Sequence, residues 1–128
     1  MIKTAIFILI LSSPIIGKAQ SLSMDSCKYF VELINKERTK RFRRRLEYKE
    51  DSQPILDKYA STLVKQYNHH VNERRVWEMI CHDNSLKGNL KMLMMSPPHR
   101  KGLISKGEVC VGIFKKRDEY YVCVRVYY

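Results

Sequence analysis

Glycine and proline are scarce in this chain, at 5 and 4 of 128 residues, which excludes collagen-like and Pro/Gly-rich low-complexity architectures. No apolar run approaches the roughly 20 residues that span a bilayer. Also missing are a Gly-x-Ser-x-Gly elbow, a phosphate-binding glycine loop and a His-Glu-x-x-His helix, so the usual signatures of serine hydrolases, P-loop enzymes and zincins are absent. Negative charge is in short supply. Thirteen acidic residues face 24 Lys and Arg, a formal charge of +11 whose field attracts anionic partners without naming one. What remains, 45% hydrophobic and 29% charged residues, is the composition of a globular protein, and the length fits one domain.

The first twenty residues, MIKTAIFILILSSPIIGKAQ, join an early lysine to an apolar stretch and end in the small residues Gly17 and Ala19, the layout of a secretory signal peptide. Cleavage after Ala19 leaves residues 20–128 as a single domain, with no transmembrane anchor and a charge lowered from +11 to +9 by loss of Lys3 and Lys18. The expected location is secreted or periplasmic. All four cysteines, Cys27, Cys81, Cys110 and Cys123, lie in this mature part, and an even count in an exported chain predicts two disulfides. A hairpin turning at Lys116 and Arg117 would set Val111 against Val122, Val109 against Val124, and Cys110 against Cys123; Cys27 and Cys81 are then left to each other. Four buried free thiols are the alternative.

Along the mature chain, Tyr29, Phe30, Leu33 and Ile34 recur at helical spacing behind a capping candidate, Asp25 or Ser26, and predict a helix reaching about Arg45. Ser52 and Pro54 open a second amphipathic helix carrying Leu56, Tyr59, Ala60, Leu63, Val64 and Tyr67. Asn68 to Arg75 reads as a loop, Val76 to Cys81 as a short buried strand, and Leu86 to Met95 as a helix ended by Pro97 and Pro98. Strict alternation in EVCVGIF and YYVCVRVYY predicts two final strands. Helices followed by a terminal hairpin indicate α+β, a small antiparallel sheet flanked by helices.

The segment SPPHRKGLI, the VGI strand and the Tyr- and Val-rich last strand resemble the C-terminal half of the CAP superfamily, which includes sperm-coating, cysteine-rich secretory and pathogenesis-related proteins. LINKERTKR, with Asn35 and Arg38, is similar to that family's opening helix, and Leu46, Leu56 and Ala60 to the pattern of its second. The likeness is greatest to short bacterial members and runs from about Cys27 to Tyr127. It implies an α-β-α sandwich with a cleft where histidines and acidic residues converge, in some members around a divalent metal. By this resemblance His99 stands for the histidine of the Ser-Pro-x-His segment and Glu78 for a cleft glutamate, although Trp77 and Met79 replace that motif's Gly and Asn. His70, or its neighbour His69, stands where another cleft histidine falls; adjacent residues point apart, so only one enters.

His70, Glu78 and His99 are thus the candidate ligands for zinc or another divalent cation, since imidazole and carboxylate are the donors it takes, or else a general acid–base set. No cofactor is demanded by the sequence. His82 and Asp83 are candidates for a further ligand. His99 also reads as a residue fastening the turn after two prolines, and Glu78, in an apolar run, calls for a His or Arg partner whatever its role. The run RFRRR at Arg41 to Arg45 reads as a solvated face or an anionic-surface patch rather than a nucleic-acid site, given the export signal. Met92, Met94 and Met95 read as core filling or a lipid groove. The expected function is a secreted binding module for a small ligand, an anionic envelope polymer or a lipid. A metal-dependent hydrolase and a cationic envelope-active protein are its rivals.

Overall fold

The computed structural model describes residues 19–71 and 74–128. The leader read in residues 1–19 therefore lies, but for Ala19, outside the described residues. After a two-residue strand β1 (Gln20–Ser21), Ser23 opens helix α1 (Met24–Lys40) by accepting from the Ser26 N–H at 3.4 Å, ahead of the expected caps. The helix buries Cys27, Phe30, Val31, Leu33 and Ile34 and leaves Tyr29 facing out. It stops at Lys40 rather than Arg45, because Phe42 turns into the left-handed region at φ 56° and closes the last turn.

Strand β2 (Glu47–Tyr48) is held to α1 by Asn35, whose buried amide accepts from Leu46 N at 2.8 Å and donates to Leu46 O at 3.3 Å. A 3-10 turn (Glu50–Ser52) leads into α2 (Gln53–Thr62), then come β3 (Val76–Asp83), α3 (Leu86–Met95) capped by Ser85, α4 (Pro97–Leu103), β4 (Glu108–Lys116) and β5 (Glu119–Tyr127). Helix α4 departs from the sequence expectation. Pro97 and Pro98 end α3 but also begin α4, where a residue without an N–H costs nothing because no carbonyl precedes it to be paired.

The sheet order is β1-β4-β5-β3, with β2 lying parallel to β4 and every other pairing antiparallel, so the sheet is mixed rather than wholly antiparallel. Valines alternate along β4 and β5 to face α1, α3 and α4, where they meet Phe30, Ile34, Leu93 and Leu103. The opposite face, with Ile80, Cys110 and Cys123, packs on Leu56 and Leu63 from α2 and the residue after it. The result is an α-β-α sandwich. Helix α2 lies so close to β4 that a Cβ on Gly112 would sit 2.2 Å from the Leu56 carbonyl oxygen. The outer edge of β4 is bare between β2 and β1, and the Gln53 amide fills the gap by donating to Val111 O at 2.9 Å.

The expected disulfides do not form: all four cysteines are buried free thiols. The hairpin turns at Arg117 and Asp118, with Arg117 at φ 56°, and its register sets Cys110 against Arg125 and Gly112 against Cys123. The apolar residues still pair, as Val109 with Val126, Val111 with Val124 and Ile113 with Val122. Side chains repeat every two residues in a strand, so a shift of two keeps each valine on its face and cannot be seen in the hydrophobic pattern. Cys27 Sγ instead meets Gln53 Nε2 at 3.7 Å, and the Cys81 thiol donates to Asn89 O at 3.8 Å. Burial raises the pKa of Cys27 to about 12 and that of Cys110 to about 11, which keeps them protonated and poorly nucleophilic.

Candidate functional site

Strand β3 is one edge of the sheet, and alternation sends Glu78 to the α2 face beside Arg125 of its neighbour β5. Both side chains are almost wholly buried, 3% and 4% exposed, and Arg125 Nε donates to Glu78 Oε2 at 2.8 Å. Burial by itself lowers the guanidinium pKa; hydrogen bonds to Glu78 and Tyr127 outweigh it and hold the Arg125 pKa above its ordinary value. The other carboxylate oxygen, Oε1, accepts from the backbone N–H of His70 at 2.8 Å and pairs with His69 Nδ1 at 3.1 Å. The expectation that Glu78 needs a His or Arg partner is met by both.

The adjacent histidines divide as the backbone requires. His69 is the one whose ring meets Glu78, and it stays 55% exposed. The His70 ring turns the other way, stacking on Tyr59 with centroids 4.7 Å apart and bonding Thr62 Oγ1 through Nε2 at 3.0 Å. Its Nδ1 is buried without a partner among the described residues. Tyr59 also lies 4.6 Å from the Arg125 guanidinium carbon, so α2 roofs the ion pair with an aromatic ring.

His99 comes to the same corner on α4, which packs closely on β3: a Cβ on Gly102 would lie 3.1 to 3.3 Å from Met79 and Trp77 atoms. Burial, then the nearby charge of His69, lowers its pKa below the usual histidine value of 6.5. The proton therefore binds the unfolded chain more readily than the folded one. Stability contributed by the neutral ring is present above about pH 6.5 and lost as pH falls through the lower, folded-state pKa. Replacing His99 by Gln is expected to flatten this acid loss, read from urea midpoints at about pH 7.5 and about pH 5.

Thus Glu78 is joined by the ring of His69 and by the backbone rather than the ring of His70, while His99 is in electrostatic reach of His69. No group of three His, Cys, Asp or Glu side chains able to hold a metal ion is present among the described residues. The expected zinc set His70, Glu78 and His99 does not fit, because the His70 imidazole is committed to Thr62 and Tyr59. His82 and Asp83 stand farther along β3, where His82 Nδ1 pairs with Glu119 and its ring stacks on Tyr121. Arg125 was not foreseen, although one charged residue inside VCVRVYY, on the same face as Cys123, was a visible signal of a buried ion pair.

A second feature lies on the opposite side of the sheet. Helices α1 and α3 enclose a groove of about 730 Å³ whose floor includes Leu33, Leu90, Met94 and Met95 and whose rim includes Lys36, Lys40, Arg41, Arg45, Lys87 and Lys91. Glu37 offsets part of this charge by pairing with Lys40 and Arg41, each at 3.0 Å. Met95 is 70% exposed, so part of the groove's apolar lining meets water.

The molecule is therefore an α-β-α sandwich with a buried Glu–Arg pair capped by an exposed histidine at one sheet edge, and a cation-rimmed apolar groove between two helices. No family model and no curated protein matches the chain. Its structure is similar to that of an outer surface protein from Borrelia burgdorferi, with a TM-score of 0.67 and 15% identity, covering 86% of this chain and 97% of that one. At that identity the likeness shows a common fold. No helix among the described residues is long and apolar enough to cross a membrane.

Proposed function

We propose that the protein is an exported binding module of the CAP kind, and that its ligand is an anionic amphiphile held in the α1–α3 groove. The observation that carries this reading is the pairing of an apolar floor with a cationic rim, which suits an acyl chain and an acidic head group together. Export is supported by the leader pattern in residues 1–19 and by the name of the structural neighbour, an outer surface protein. The order of the SPPHR, Asn35 and Glu78 segments supports the CAP assignment. The test is titration with a fluorescent long-chain fatty acid. Saturable binding is expected, displaced by the unlabelled acid far better than by the alcohol of equal chain length. Met94→Glu, a half-buried position on the floor, is expected to weaken it at least ~tenfold while the far-UV spectrum of the folded protein is retained. Binding that does not saturate, or that Met94→Glu leaves intact, would overturn the reading.

One observation favours hydrolysis as a second reading. An exposed imidazole oriented by a buried carboxylate is the acid–base half of a catalytic dyad, and His69 on Glu78 has that form. Both Glu78 oxygens are engaged, so the proton carrier of such an enzyme is His69. Loss of ester or peptide turnover in His69→Ala, with folding intact, would be its signature.

A further inference from the structure

The turn that ends α1 spends stability on display. Its backbone closes by two reciprocal hydrogen bonds, Arg43 N to Arg38 O at 2.9 Å and Phe42 N to Thr39 O at 3.1 Å, with Phe42 between them at φ 56°. This is the Schellman arrangement, and its left-handed position is one that glycine fills without cost and a bulky side chain fills with strain of roughly 1–2 kcal/mol. Here it holds a phenylalanine that is 99% exposed. An aromatic side chain at the one position of the turn that favours glycine, entirely in water, stabilises nothing in the folded molecule.

The turn is also built to be stiff. Arg38, only 3% exposed, donates from Nη1 to the carbonyls of Leu103 and Ser105 and from Nε to that of Arg44, all at 2.7 Å, tying both ends of the turn to the α4–β4 connection. Around the presented ring stand Arg43, Arg44, Arg45 and Lys106 and one carboxylate, Glu47, with Arg41 beside them in the chain. Arg41 and Arg45 have acidic partners in Glu37 and Glu32, whereas Arg43, Arg44 and Lys106 make no ion pair among the described residues.

We infer that this turn is a membrane-docking device: Phe42 enters the head-group region of a bilayer while Arg43, Arg44 and Lys106 engage anionic lipid heads. An apolar aromatic set among cations that outnumber the nearby carboxylates is complementary to a surface that is negative outside and apolar just beneath, and rigid presentation limits the entropy lost on contact. Arg45 lines both this turn and the groove, so docking would bring the groove mouth to the lipid surface. The inference does not rest on the groove's ligand, because the turn's conformation and charge stand by themselves.

The experiment is co-sedimentation of the purified protein with phosphatidylglycerol-containing vesicles and with pure phosphatidylcholine vesicles. Binding is expected to the anionic vesicles only, and to fall with added salt. Phe42→Gly is expected to fold at least as stably, since it relieves the left-handed strain, yet to bind about tenfold less tightly. Phe42→Trp should retain binding and add a blue shift of emission with vesicles that the wild type lacks. Arg43→Glu with Arg44→Glu should abolish binding. Fatty-acid affinity in the groove should be unchanged in Phe42→Gly, which separates failure of this device from failure of the groove. Unaltered vesicle binding by Phe42→Gly, equal binding to neutral vesicles, or tighter binding to a DNA oligonucleotide than to anionic vesicles would overturn it.

Discussion

Replacing Arg125 by methionine is expected to destabilise the protein by about 3–5 kcal/mol, the usual cost of stranding a buried charge. Glu78 would keep its two donors from His69 and the His70 backbone but lose the only arginine or lysine bonded to it among the described residues. The urea midpoint reads this directly, with an unchanged slope showing that the same surface is exposed on unfolding. Adding Glu78→Gln to Arg125→Met should restore part of the loss, because the second change removes the stranded charge and leaves an amide able to pair with the His70 N–H. If Arg125→Met costs no more than a surface substitution, the pair is not the keystone of the β3 edge, and the geometry that places His69 loses its anchor.

Gly112→Val should be nearly as damaging, at about 3 kcal/mol. The cause is space alone. A Cβ there would lie 2.2 Å from the Leu56 carbonyl oxygen and 2.5 Å from its carbon, which are backbone atoms of α2 and cannot swing aside. The helix would lift from β4, taking with it the Gln53 amide that closes the strand edge and the Tyr59 and Thr62 contacts that set the His70 ring. Gly88→Ala is the useful contrast. Its added carbon would meet the Asp83 carboxylate, which can rotate, and the Ser85 hydroxyl that caps α3 through Gly88 N, so a loss of about 1 kcal/mol, that of the cap, is expected from thermal melts.

Much of the architecture was legible in the chain because burial imposes simple periods. Two-residue alternation marked β4 and β5, three-to-four spacing marked α1 and α2, and the leucines and methionines before the double proline marked α3. Helix α4 escaped because a double proline carries the same meaning to a preceding helix whether or not another begins on it. The sheet's short parallel member β2 escaped because two residues hold no period; Asn35, a buried amide on α1, is what places it. At the site, Glu78 announced that it required a partner, but nothing local distinguishes His69 from His70. Their assignment follows from Tyr59 and Thr62, which lie on another element, α2. The cation-rimmed groove was foreshadowed by the methionines near Leu90, while the role of Phe42 depends on a backbone angle that a run of arginines does not reveal.

The two-residue ambiguity of the terminal hairpin has a consequence for the chain before it is native. A β4–β5 ribbon slipped by two residues would keep every valine on its own face and bring Cys110 opposite Cys123. An oxidant acting at that moment would staple the slip permanently and set Arg125 against Glu108 instead of Cys110, with β3 carried along on β5. Folding order, more than the finished thermodynamics, then decides whether these thiols survive as thiols.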